Sequence, residues 1–287
     1  MGNNITNEID WSFCQSNSDL ILACALQQLI HSFSIESIDQ VPNSYGCYLI
    51  SHKGTHYYIG EAKDLNKRIR QQFDERYSTF YKNYINTRKH YEIGKIPILD
   101  FELRILDTKI GRKEVEEFGM VNLPTKLNKF ERGKRKIIKI EIDENIWKNV
   151  QAEYERLLIE GENYFLTKPF TDWNRATPKS LPGVYKVANS KDEIIYIGES
   201  SDIYERYITH GTTTYFSALR RHIGTELLGL SFVDPKKRKF KDSEDFRVTN
   251  YLMGCKYRSL PVNFGRFELE EYFIRKHNPL LNIKGNK

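Results

Sequence analysis

One ordered set of short motifs occurs twice in this chain, and that constrains its fold more than any other feature. YGCYLISHKGTHYYIGEAKDLNKRI begins at Tyr45, and PGVYKVANSKDEIIYIGESSDIYERYI begins at Pro182. Each segment holds Gly-x-Tyr, a polar turn, Tyr-Ile-Gly-Glu, and an Asp followed four residues later by Arg. Further on, VEEFGMVNLPTKLN from Val115 aligns without gaps to LEEYFIRKHNPLLN from Leu269. The order is conserved between the halves, which argues for two copies of one small domain rather than a chance match of one motif.

The local pattern predicts the elements. GVYKV and EIIYIG are β-branched and aromatic runs around the polar turn ANSKDE, so they read as a β-hairpin. Alternation along a strand puts Tyr185 with Val187 on one face and Ile194 with Tyr196 on another; if those faces coincide, both hydroxyls reach one site. Asp202 starts a helix that carries Arg206 and His210 on one side. The first copy places Tyr48 and Tyr58 on its hairpin, Asp64 at a helix start and Arg68 on that helix. It has Gln72 where the second has His210. PILDFELRIL from Pro97 predicts a third strand, followed by a helix bearing Glu116. The matching helix, from about Glu268 to His277, bears Glu270, and Asn128 and Asn282 close the repeats. The fold class expected is α/β (α+β), with two domains that are each a largely antiparallel three-stranded sheet flanked by helices.

Outside the repeats, residues 1–44 read as a helical extension with an amphipathic helix near Asp19–Phe33. Residues 45–130 form the first domain and 131–179 a strand-helix connector and linker. Residues 180–287 form the second domain, with a basic insertion at 211–265. RKIIKIEI predicts a strand, ENIWKNVQAEYERLLIE a single helix, and the Gly161 to Pro182 stretch a linker.

Composition excludes several classes. Charged residues make up 29% and aromatics 13% of the 287 residues, which suits a globular fold rather than disorder. Cys14, Cys24, Cys47 and Cys255 show no paired spacing for zinc or a disulfide framework, so reduced, buried thiols are expected. LILACALQQLI is too short and polar to span a bilayer, and no signal peptide is visible; a cytoplasmic protein is expected. The net charge of +6 suits a polyanionic partner. Basic clusters stand at Gly133–Lys136, Arg220–His222 and Lys236–Lys239.

These residues resemble the GIY-YIG nuclease superfamily over most of 45–130 and 180–284. The name motifs fall on Gly183-Val184-Tyr185 and Tyr196-Ile197-Gly198, and on Gly46-Cys47-Tyr48 and Tyr58-Ile59-Gly60. The resemblance implies catalytic Tyr185, Tyr196, Arg206, His210 and Glu270, with a second possible set in Tyr48, Tyr58, Arg68 and Glu116. It implies one Mg²⁺ (or Mn²⁺) on Glu270 or Glu116, and structural roles for Asn128 and Asn282. The residue types fit the chemistry. A single carboxylate suits a magnesium ion that keeps most of its waters, and a planar guanidinium suits a charge-rich phosphate. A tyrosine aided by a histidine can serve as general base, with Tyr185 assigned that role and Tyr196 the positioning role, or the reverse. His222 is an alternative histidine. Taken singly, strand tyrosines, a helix arginine and an acidic helix face have plainer structural readings; the ordered set carries the argument.

Gln72 cannot relay a proton as histidine can, so the first domain reads as weakened. Arg220, Arg221, Lys236, Lys237, Arg238 and Lys239 are the candidate phosphate contacts. The expectation is a metal-dependent DNA endonuclease of restriction or defence, with no membrane and no small-molecule cofactor, whose two pseudo-equivalent domains suit a monomer. The alternatives are a non-cleaving DNA-binding or scaffold protein, a repair nuclease and an RNA nuclease.

Overall fold

The computed structural model describes residues 9–88, 94–128 and 144–283. The Gly133–Lys136 cluster and the strand expected in RKIIKIEI lie outside the described residues. The chain divides into two compact units, Met1–Glu155 and Arg156–Lys287, each built on an antiparallel sheet.

In the first unit, α1 (Trp11–Ser16) and α2 (Ser18–His31) lead into the hairpin β1 (Gly46–His52) and β2 (Thr55–Ala62). Helices α3 (Leu65–Gln72) and α4 (Thr79–Arg88) follow, then β3 (Glu102–Asp107), α5 (Arg112–Asn122) and α6 (Glu144–Ala152). The sheet order is β2-β1-β3. The N-terminal segment is no appendage. α2 buries Ile21, Leu22, Cys24, Leu26 and Leu29 and packs on β1, β3, α5 and α6, so it completes the back layer of the sheet. Tyr48 and Ile50 face the other way, into a cluster with Ile69, Phe80, Tyr84 and Phe101.

In the second unit, α7 (Tyr154–Leu166) leads to the two-residue β4 (Thr171–Asp172), then the hairpin β5 (Gly183–Ala188) and β6 (Ile194–Ser200). Helices α8 (Ile203–Thr212), α9 (Ala218–His222) and α10 (Asp242–Met253) precede β7 (Lys256–Pro261) and α11 (Arg266–His277). The order β4-β7-β5-β6 gives this sheet a fourth strand where three were expected. Two further expectations change. ENIWKNVQAEYERLLIE forms two helices, α6 and α7, not one. The basic stretch 211–265 holds regular structure: it contains α9, α10 and the third strand of the main sheet, β7, whose apolar positions alternate too weakly to stand out from its basic surroundings. The Gly161–Pro182 stretch likewise holds the end of α7 and β4, and Phe165 packs edge-on to Phe273 at 5.0 Å.

The twice-repeated glycines have a steric cause. Tyr185 pairs across the hairpin with Gly198, and its ring lies over that residue. A Cβ at Gly198 would stand 2.3 Å from the Tyr185 hydroxyl, and one at Gly60 would stand 2.5 Å from that of Tyr48. The second motif therefore needs glycine so that the first motif's tyrosine can lie flat against the strand. Gly111 and Gly265 meet a different need: they precede α5 and α11 with φ of 90° and 81°, in the left-handed region that side chains disfavour.

All four cysteines are free and buried, and among the described residues no helix is long and apolar enough to cross a membrane. On the back face of the second sheet sits Lys186, 1% exposed, with its ammonium 2.9 Å from His277 Nε2 and over the Phe273 ring. Burial pulls its pKa down to about 7, against the opposing pull of Glu162 and with the help of Arg258 and Lys276.

Two outcomes are expected. Gly198→Ala should lower unfolding free energy by about 1–3 kcal/mol in a denaturant titration, because the rigid Tyr185 ring must move. Lys186 is less basic folded than unfolded, so its contribution is present above the unfolded value of roughly 10 and lost as pH falls through about 7. Lys186→Met should flatten the pH dependence of stability across that window, read from melting temperatures.

Candidate active site

The second unit brings its five expected residues to one place. Strand β5 presents Tyr185 and β6 presents Tyr196, with ring centroids 6.2 Å apart. Asp202 caps α8 by accepting the Glu205 amide at 2.9 Å, which sets the helix start and aims Arg206 and His210 at the sheet. His210 is 1% exposed, and its Nε2 lies 2.7 Å from the Tyr185 hydroxyl. Its Nδ1 lies 2.7 Å from Ser217 Oγ, which also accepts the Arg220 amide at the start of α9. The consistent assignment has His210 Nδ1–H donating to Ser217 and Tyr185 O–H donating to His210 Nε2. Glu270 stands on α11, packed along β6, close enough that its charge acts on both tyrosines.

The electrostatics keep this chain neutral at rest. Burial, then Tyr196 and Tyr257, hold the Tyr185 hydroxyl well above its ordinary pKa, against the pull of Arg206. Burial and Glu270 push Tyr196 up to about 12. Burial, with Arg206, Arg220 and Arg221 around it, pushes His210 down to about 3, so at neutral pH it is an uncharged acceptor. His222 is occupied elsewhere: its Nδ1–H donates to the Leu281 carbonyl at 2.7 Å.

The first unit repeats the frame with different details. The rings of Tyr48 and Tyr58 lie 6.0 Å apart, and Arg68 Nε donates to the Tyr48 hydroxyl at 3.3 Å. Gln72 Nε2 donates to the same hydroxyl at 3.1 Å. The Gln72 oxygen accepts the Phe80 amide, which fixes which end of the side chain faces Tyr48. On α5, Glu116 accepts from the Lys113 ammonium at 2.6 Å. Burial disfavours that ammonium, but Glu116, with Glu117 and Glu61, holds its pKa above the lysine range.

Asn128 and Asn282 have one geometry. Each side chain donates to, and accepts from, the backbone of one residue: Ile59 at 2.8 and 2.9 Å, and Ile197 at 2.8 and 2.9 Å. Both act on the edge strand that carries the second tyrosine, satisfying groups that no neighbouring strand reaches.

The basic candidates divide. Arg220 is 1% exposed and is not placed to touch a ligand. Its guanidinium bonds Asp245 at 2.9 Å, Thr249 at 2.9 Å, Thr214 at 3.0 Å and the Gly211 carbonyl at 3.2 Å. It therefore binds α8, α9 and α10 together, a role its sequence neighbours conceal. Arg221 is half-buried and interacts with Tyr196 and with Arg238. Lys236, Lys237, Arg238 and Lys239 are exposed on a tight turn closed by the Asp234–Lys239 bridge. Arg206, Arg221 and Arg238 thus form a cationic rim running from the tyrosines to that turn.

One buried interaction was missed in the sequence. Arg266, first residue of α11, pairs with Glu199 of β6 at 2.8 Å, and Arg112 pairs with Glu61 at 3.7 Å in the first unit. The pair ties the strand bearing Tyr196 to the helix bearing Glu270. Its signal was present: the Glu after Tyr-Ile-Gly and the Arg four residues before Glu270 both occur twice. Among the described residues no group of three His, Cys, Asp or Glu converges as a metal cage. The Glu270 carboxylate without such a cage fits a cation that keeps most of its waters.

Arg220→Ala should destabilise the protein by about 2–4 kcal/mol in chemical denaturation, leaving the Asp245 carboxylate and the carbonyls of His210, Gly211 and Asp245 without their donor. Joint replacement of Lys236, Lys237, Arg238 and Lys239 by alanine should change stability by no more than about 0.5 kcal/mol per residue.

No curated protein matches the chain. Residues 163–287 match the family model described as the GIY-YIG catalytic domain. The match begins in the last turn of α7 and takes in Tyr185, Tyr196, Arg206, His210 and Glu270. The second unit is similar to a GIY-YIG catalytic domain, and that similarity indicates a nuclease-type function.

Proposed function

We propose that this protein is a Mg²⁺-dependent endonuclease, with Mn²⁺ an acceptable substitute, that hydrolyses DNA phosphodiester bonds in its second unit. The observation that carries this reading is the buried Tyr185–His210–Ser217 chain set beside Tyr196, Arg206 and Glu270. Restriction or defence against foreign DNA is the proposed role. It is supported by the cationic rim, which supplies DNA contacts within the cutting unit itself.

The chemistry follows from the neutral resting state. Tyr185 is too weak an acid to wait as a tyrosinate, so it works as a relay: its oxygen takes a proton from the attacking water as its own proton passes to His210 Nε2. His210 is a poor acceptor while three arginines surround it. A phosphate seated on Arg206 and Arg221 offsets their charge and raises the proton affinity of His210, so the relay becomes competent when substrate arrives. Ser217 holds the imidazole in the tautomer that leaves Nε2 open. Tyr196 orients the water or the phosphate, and Arg206 stabilises the charge that builds in the transition state. A metal ion on Glu270 would supply Lewis-acid stabilisation of the same charge.

Supercoiled plasmid with Mg²⁺ tests the reading. Wild type should linearise or nick it, and EDTA or Glu270→Ala should stop the reaction. His210→Gln, which copies the first unit, should slow it by roughly 10²–10⁴-fold. Glu116→Ala should leave cutting in place. Affinity for duplex DNA should fall with salt at a log–log slope of about −0.9 per phosphate contact, and the four-residue alanine variant of the basic turn should reduce that slope. Cleavage that survives Glu270→Ala would refute the site.

A further inference from the structure

The two units part company at one helix position. Both α5 and α11 begin after a left-handed glycine, with a buried arginine first and the acidic residue, Glu116 or Glu270, four residues on. The residue between arginine and that turn differs: Lys113 in the first unit, Phe267 in the second. Lys113 reaches along its own helix and places its ammonium 2.6 Å from Glu116 Oε2, with both side chains largely buried at 19% and 10% exposure. That is the carboxylate a divalent ion would use. Phenylalanine can form no such bond.

We infer that Lys113 occupies the cation position of the first unit with its own ammonium, so that this unit takes up no divalent metal and the chain carries one metal site, not two. The donor set of the first unit does not fit a hydrated Mg²⁺. A buried, charge-assisted hydrogen bond at this distance must be broken, and the ammonium displaced, before a second cation could approach. An independent difference points the same way. The Tyr48 hydroxyl receives donors from both Gln72 and Arg68, whereas Tyr185 faces a ring nitrogen able to accept its proton. The first unit has thus exchanged both the proton acceptor and the metal position while keeping its tyrosines, its arginine and its fold. The comparison rests on reading Glu270 as the metal ligand, but the state of Glu116 stands apart from it.

Paramagnetic broadening of methyl signals by Mn²⁺, in the full chain without nucleic acid, separates the two. Ile59 and Val115 report on the first unit, Ile197 and Leu269 on the second. Wild type should lose the Ile197 and Leu269 signals as Mn²⁺ is added, with Ile59 and Val115 staying sharp. Lys113→Met should make Ile59 and Val115 broaden as well, and adding Glu116→Gln to it should restore them. The inference is overturned if Ile59 and Val115 broaden in wild type and recover with Glu116→Gln alone, or if a folded Lys113→Met leaves them sharp. The wild-type and Glu116→Gln titrations decide the matter even where Lys113→Met does not fold. Failure of the Glu270 reading has its own signature: Ile197 and Leu269 that stay sharp whatever the first unit does.

Discussion

The flat contact of Tyr185 on Gly198 is the constraint from which the rest of the second unit follows. A tyrosine on a central strand points its hydroxyl wherever its cross-strand neighbour allows. With no Cβ at Gly198, the ring lies along β6 and its oxygen emerges beside α8, within reach of His210. Any larger residue would lift the ring and part the hydroxyl from the imidazole. Tyr48 and Gly60 repeat the contact in the first unit, where the oxygen meets Gln72 and Arg68 instead.

Around that contact the second unit is held by buried charged groups. Arg220 holds α8, α9 and α10 in one arrangement through directional bonds that an apolar side chain could not supply. Arg266 and Glu199 fix α11 against β6, which decides where Glu270 lies relative to Tyr196. Buried pairs of this kind contribute little net stability, since desolvation offsets much of the attraction, but they penalise every alternative packing that leaves one partner alone. Arg220 also acts on the site, because burial, with Arg206, Arg220 and Arg221, keeps His210 uncharged at neutral pH.

Much of this was legible in the sequence. Alternation and the polar turns located both hairpins, and Asp64 and Asp202 marked the helix starts that the structure shows as capped. The ordered repeat named the residues that converge in the second unit. β7 and the helix pair α6 and α7 were not legible: a strand of mixed polarity inside a basic stretch looks like a loop, and one apolar stripe can run across a break between helices. Arg220 was misread for a similar reason. A basic tripeptide looks the same whether its members face water or a carboxylate, and only the packing of α9 against α10 sends Arg220 inward and Arg221 outward.

The sequence by itself determined the antiparallel hairpins, the motif glycines and the order of chemically able residues in each half, because strand alternation, capping and turn chemistry are local. Only the tertiary structure decided what each residue does, because that depends on partners distant in the chain. Tyr185 acquires an acceptor because α8 packs over β5. Glu116 and Glu270 occupy matching places on matching helices, yet one carries a lysine on its carboxylate and the other follows a phenylalanine. The repeated motifs were visible in the sequence, and the two units differ at Lys113 against Phe267 and at Gln72 against His210.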